Sequence, residues 1–277
     1  ALPGVYSLRG RENGALKEET MELSVAGSGS SSERLVTRFL EPAAGPGSAP
    51  MVLYLHGFGS DQWGEKADFF RRKALEEGLG FCSFDFQGHG RSSGRMVDLT
   101  LSRQLSDVES VGQMLAGRGY GETIVLGSSM GGLTALWYSA VHPERVSCGL
   151  CIAPALSLES SLEDWAGEDG MKSWREKGSI HVDNEIGSWD LGWGFVMDLR
   201  TYPLSRLQRL CRRPFLLLQG QLDDRVEWRQ VRDFVEGCEF EDLELHLFAD
   251  GDHRLVDRKE RLWRLMCDFL SSRGHLP

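Results

Sequence analysis

The 277-residue sequence predicts an α/β fold: a mostly parallel central sheet with an antiparallel N-terminal hairpin, helices on both faces and one inserted cap. Three observations carry that expectation. Continuous apolar runs at 51–55, 81–86, 123–126, 146–152, 215–218 and 243–248 suit strands covered on both faces. Segments at 63–79, 99–115, 131–141, 228–235 and 256–270 space apolar residues as helices do, so strand and helix alternate as in a parallel sheet wound with right-handed crossovers. The alternation breaks once, over 154–213, where Trp165, Trp174, Trp189 and Trp193 occur without a clear strand.

In chain order, residues 19–26 and 33–40 alternate polar and apolar positions about a Gly/Ser-rich turn at 27–32, and read as the opening hairpin. A second turn, at 43–50, is rich in Gly, Ala, Ser and Pro and leads into the first buried strand. The whole of 1–277 is expected to form a single domain. Its 154–213 insertion is expected to cap the functional edge, because long insertions in compact domains commonly serve binding.

Composition narrows the function. Lys and Arg number 31 against 41 Asp and Glu, a net charge of −10, which is the opposite of the basic footprint that nucleic acid requires. No apolar run approaches the roughly 18 residues of a bilayer span, so a soluble chain is expected. The six cysteines lie scattered in apolar segments, the pattern of buried thiols in a reducing compartment, cytoplasmic or organellar after removal of a targeting segment. Cys148 and Cys151 have CxxC spacing but no second pair and no nearby His, and are read as packing residues. With no His-Glu-x-x-His, phosphate-cradling Gly-x-x-x-x-Gly-Lys or dinucleotide fingerprint, neither metal nor cofactor is expected.

The sharpest chemical signal is Ile124-Val125-Leu126-Gly127-Ser128-Ser129-Met130-Gly131-Gly132, a strand running into Gly-x-Ser-x-Gly and then a helix. Such a junction strains the central serine and exposes its hydroxyl, and the flanking glycines leave room for neighbouring backbone. Ser129 is therefore the expected nucleophile, with the Met130 amide at the helix N-terminus as one oxyanion donor. The Leu55-His56-Gly57-Phe58-Gly59 loop closes the first buried strand and offers the Phe58 amide as the second; His56 is read as structural. A serine needs a base and an orienting acid. His253, in Asp250-Gly251-Asp252-His253 after the last strand, is the expected base; Asp223, after the 215–218 strand, is the expected acid, with Asp224 its competitor. The other histidines, His89, His142, His181, His246 and His275, lack such placement.

The chain order Ser129, Asp223, His253 is that of α/β-hydrolases, and from about residue 50 to 270 the chain resembles that superfamily. Its motifs at 125–132, 219–228 and 250–254 look most like the mitochondrial acyl-protein thioesterase and acyl-glucuronide esterase branch and related bacterial esterases. The Asp85-Phe86-Gln87-Gly88-His89-Gly90-Arg91-Ser92 turn also resembles the superfamily, which implies a structural Asp85. Gln219 stands where many relatives have His, and is expected to stay clear of the chemistry. Serine at the elbow excludes haloalkane dehalogenases and epoxide hydrolases, which need a carboxylate nucleophile there.

The resulting expectation is a serine hydrolase cleaving carboxylic esters or thioesters, its partner a small-molecule acyl substrate or an acylated protein. The resemblance implies medium or long acyl groups, and Trp189, Trp193 and Phe195 of the cap are candidate pocket residues. The alternatives are a catalytically silent binding or assembly subunit on the same fold, or a triad acting on another bond, as in C–C hydrolases, peptidases and acyltransferases.

Overall fold

The computed structural model describes residues 5–13, 16–27, 32–42, 45, 47, 49–184 and 187–276. The expected turns at 27–32 and 43–50 lie largely outside these residues. In chain order the first elements are β1 (Val5–Asn13), β2 (Leu16–Ala26), β3 (Ser32–Leu40), β4 (Met51–Leu55), α1 (Glu65–Glu76) and β5 (Gly80–Phe84). Then come α2 (Leu101–Gly117), β6 (Thr123–Ser128), α3 (Met130–Val141) and β7 (Val146–Ile152). Residues 154–213 hold α4 (Leu158–Lys177), β8 (Ser179–Asn184), β9 (Gly187–Gly192), α5 (Trp193–Leu199) and α6 (Leu204–Leu210). Last are β10 (Phe215–Gly220), α7 (Trp228–Glu236), β11 (Leu243–Phe248) and α8 (Lys259–Ser271).

The main sheet runs β1-β2-β3-β5-β4-β6-β7-β10-β11. β1, β2 and β3 join it antiparallel, and from β5 to β11 every pairing is parallel. The expected hairpin is β2 and β3: Met21, Leu23 and Val25 are buried and the residues between them are not, the period-two pattern of a strand with one covered face. β1 was not anticipated and extends the antiparallel edge by one strand.

Alternate residues of the parallel strands feed two hydrophobic layers. Leu53, Val125, Cys151 and Leu217 pack with Val108 and Val111 of α2, Leu136 and Trp137 of α3, and Phe234 of α7. Val52, Tyr54, Ile124 and Leu216 pack with Phe70 of α1 and Trp263 and Met266 of α8 on the other face. This parity settles the CxxC pair: three residues apart on β7, Cys148 and Cys151 enter opposite layers and cannot hold one ligand.

The expected limits at 51–55, 146–152 and 243–248 coincide with β4, β7 and β11. The 154–213 stretch, expected to lack strands, contains the antiparallel pair β8 and β9 as a separate two-stranded sheet. β9 lies against the turn before α2 so closely that a Cβ on Gly192 would run into the Val97 carbonyl oxygen. Because β5 lies on one side of β4 and β6 on the other, the winding direction reverses there, and a crevice opens at the carboxyl ends of β4 and β6.

Candidate active site

Ser129, His253 and Asp223 meet in this crevice. Between β6 and α3, Ser129 adopts φ 54° and ψ −118°, a region non-glycine residues avoid at a cost of about 1–3 kcal/mol. Neighbouring backbone holds it there: its N–H donates to the Ile152 carbonyl at 2.8 Å, and its own carbonyl accepts from Gly132 at 2.9 Å and Ala155 at 3.1 Å. A Cβ at Gly127 would sit 2.5 Å from the Gly131 carbonyl carbon, and one at Gly131 2.6 Å from that of Leu55. Both glycines are thus required by close backbone approach.

Met130 is the first residue of α3, so its N–H has no acceptor within the helix and lies at the positive end of the helix dipole, next to Ser129. Gly57 packs against Ser129, with room for a Cβ only 3.3 Å from the serine's own, and so brings the Phe58 loop beside it. The Phe58 ring meets His89 and Trp189 edge to face, with centroids 6.2 and 5.4 Å apart.

His253 Nε2 lies 3.0 Å from Ser129 Oγ, and its Nδ1 2.9 Å from Asp223 Oδ2. The partners fix the tautomer: Nδ1–H donates to the carboxylate, and Nε2 accepts from the hydroxyl. Asp223 Oδ1 takes the amides of Arg225 and Val226, each at 2.8 Å. Burial pushes its carboxyl up, but the hydrogen bond and charge of His253 together with those two amides outweigh it and hold Asp223 below the ordinary carboxylate range. Its side chain is fully buried, whereas that of Asp224 is 79 % exposed and turns to Arg225. The structure thus brings Asp223, and not Asp224, to His253.

The loops that carry Asp223 and His253 are packed onto one another. A Cβ on Gly220 would lie 2.5 Å from the Gly251 carbonyl carbon, and the Leu222 amide donates to the Gly251 carbonyl at 2.9 Å.

Two contacts were not expected. Gln219 Nε2 donates to Asp223 Oδ2 at 2.9 Å and lies 3.1 Å from the carbonyls of Gly220 and Val226. All three neighbours are acceptors, so only the amide nitrogen can face them, and the buried Oε1 is left without a donor, at a cost of about 1–3 kcal/mol. Gln219 therefore touches the site it was expected to avoid; the available signal was a polar residue closing an apolar strand. Lys66 of α1 donates to Ser128 Oγ at 2.8 Å, directly behind the elbow, and burial pushes its ammonium down to about 8.

His56 is fully buried; its Nδ1 donates to the Gly57 carbonyl at 2.8 Å and its Nε2 accepts from the Phe86 amide at 3.1 Å. Burial lowers its pKa to about 4, so it is a neutral brace between the ends of β4 and β5. Asp85 accepts from the amides of Gln62 and Arg91, both at 2.8 Å, and ties the same two loops together. Of the three aromatics expected at a pocket, Trp189 reaches the site through Phe58. Phe195 is buried in the core. Trp193 borders a separate open cleft of about 400 Å³ between α4 and α5, whose lining includes Arg175 and Arg200 but none of Ser129, Asp223 and His253.

Residues 50–173 match the family described as alpha/beta hydrolase fold. The chain is 26 % identical over 219 residues, 77 % of its length and 72 % of the relative's, to the mouse protein named palmitoyl-protein thioesterase ABHD10, mitochondrial. A solved structure from Agrobacterium vitis S4 superposes with a TM-score of 0.81 at 28 % identity, covering 91 % of this chain and 98 % of that one. The esterase Est1E of Butyrivibrio proteoclasticus with bound ferulic acid gives 0.74 at 19 % identity, over 90 % and 99 % of the two chains. With its parallel sheet, its strained elbow at the switch point and these likenesses, the chain has the α/β-hydrolase fold.

Proposed function

We propose that the chain hydrolyses carboxylic ester or thioester bonds through an acyl-enzyme on Ser129. The observation that carries this reading is the continuous path from Asp223 through His253 to a serine hydroxyl held in a strained turn, 2.9 and 3.0 Å per link. His253 Nε2 takes the hydroxyl proton as Oγ attacks the carbonyl carbon, and Asp223 stabilises the imidazolium that forms. The amides of Met130 and Phe58 receive the developing oxyanion. His253 then returns its proton to the departing alcohol or thiol. Water, deprotonated by the same imidazole, attacks the acyl-enzyme and releases the carboxylic acid and Ser129.

The substrate class rests on Trp189 and on the relatives. Trp189 packs edge to face on Phe58, whose loop adjoins the serine, and this aromatic pair suits a medium or long acyl chain or a bulky hydrophobic group. One relative is named for palmitoyl-protein, and another holds ferulic acid. The acyl donor is thus a small ester or thioester, or an acylated protein, and residues 154–213 act as the cap that selects it. No helix among the described residues is long and apolar enough to cross a membrane, and the mitochondrial relatives support an organellar location.

The test is hydrolysis of a nitrophenyl ester and an acyl-thioester series, with a fluorophosphonate probe as active-site titrant. The native chain turns over and is labelled, and Ser129→Ala does neither. Retained hydrolysis and labelling in Ser129→Ala overturn the assignment.

A further inference from the structure

Asp223 Oδ2 is shared by two donors, His253 Nδ1 and Gln219 Nε2, each at 2.9 Å. Gln219 is fully buried at the end of β10, four residues before the acid, and the same nitrogen is tied to the Val226 carbonyl on the far side of the Asp223 turn. One carboxamide thus spans the loop it precedes and grips the carboxylate inside it. Its Oε1 has no hydrogen-bond partner, so these contacts are the ones the burial of this polar side chain maintains.

We propose that Gln219 is a positioning residue for the reaction described above: by donating to Oδ2 it holds the Asp223 carboxylate in the plane of the His253 imidazole and sets how much of its charge the imidazole meets. The inference rests on the Ser129–His253–Asp223 reading and adds a fourth, neutral member acting through the acid. A second donor on the same oxygen disperses its charge, so the carboxylate binds an imidazolium less tightly than a singly bonded one would. The other charged groups near the acid are Asp224 and Arg225 on its own loop, Lys66 from α1, and Asp252 and Arg254 beside His253. All are retained when Gln219 alone is changed.

Two near-isosteric variants read this out in opposite directions. Q219M removes the donor. We expect kcat to fall about 10- to 100-fold with KM within about twofold, the effect of losing one hydrogen bond to a charged group. The acid limb of kcat/KM should move to higher pH, so the ratio of variant to native activity rises with pH. Q219E places a second carboxyl against Asp223, and the two share one proton at low pH. While that proton is present it supplies the missing donor, so the ratio of Q219E to native activity falls as pH rises. A merely structural role makes both ratios flat with pH.

Endpoint fluorophosphonate labelling counts folded sites in each sample, so a folding loss does not pass for a catalytic one. Flat ratios, or a Q219M kcat within twofold of native, overturn the positioning role while leaving the hydrolase reading intact. A native chain that neither hydrolyses nor labels overturns both.

Discussion

Asp223→Asn is the most demanding test of the site, because the structure dictates what the new amide must do. In the native chain four donors converge on the carboxylate: the Arg225 and Val226 amides on Oδ1, and His253 Nδ1 and Gln219 Nε2 on Oδ2. Asparagine has one oxygen and one NH2, so whichever way it turns, an NH2 faces two donors. Against the backbone amides, which cannot move, the mismatch is worse, so the NH2 takes the Oδ2 position and meets His253. The imidazole then holds its proton on Nε2, where it cannot accept from Ser129. In serine triads that tautomer error costs about 10⁴-fold in kcat, equivalent to about 5.5 kcal/mol of transition-state stabilisation. The assay is kcat on a nitrophenyl ester, normalised to fluorophosphonate-reactive sites, with the exposed Asp224→Asn as control at native activity. A loss below tenfold in Asp223→Asn, or an equal loss in Asp224→Asn, refutes the reasoning.

Three further outcomes follow from other contacts. Gly127→Ala pushes a methyl group to 2.5 Å from the Gly131 carbonyl carbon, so the elbow must open; kcat should fall at least about 100-fold and the melting temperature by several degrees, read by the ester assay and a thermal melt. Trp189→Ala removes one wall beside Phe58, and kcat/KM for a long acyl thioester relative to acetyl should fall about tenfold, tested by a chain-length series. Asp107 concerns stability: burial raises its carboxyl to about 7, against about 3.9 when unfolded, although Gln87 donates to it twice. Its contribution is therefore fully present below about pH 4 and lost as pH rises toward 7, at a slope of at most about 1.4 kcal/mol per pH unit. Denaturant unfolding across that window should show Asp107→Asn flatter with pH than the native chain.

The parallel strands were legible because burial on both faces makes them continuous apolar runs; β4, β7 and β11 have the limits their composition suggests. The elbow and the order of Ser129, Asp223 and His253 were legible because each closes its own strand. β8 and β9 were not: Val182 and Leu191 are their buried side chains apart from the closing Gly192, set among exposed polar residues such as His181 and Asp190, too sparse a pattern to mark a strand. Phe195 and Trp189 look alike in sequence, and only packing separates a core residue from one beside the site. The contact of Gln219 with Asp223 depends on a turn folding back by four residues, a distance no spacing rule encodes.

The interlock of Gly220 with Gly251 bears on how this scaffold tolerates change. A Cβ on Gly220 would overlap the Gly251 carbonyl, and one on Gly251 would meet Leu255 and Phe248 of its own loop and lie 3.1 Å from Gly220 Cα, so the strand ends that carry Asp223 and His253 are packed as one block. Insertions are therefore expected to be tolerated better in 154–213, which returns to β10 before that block begins, than in the two loops that carry Asp223 and His253, which would have to be rebuilt together. Laboratory evolution of new specificity should accumulate its length changes on the first side and only point substitutions on the second.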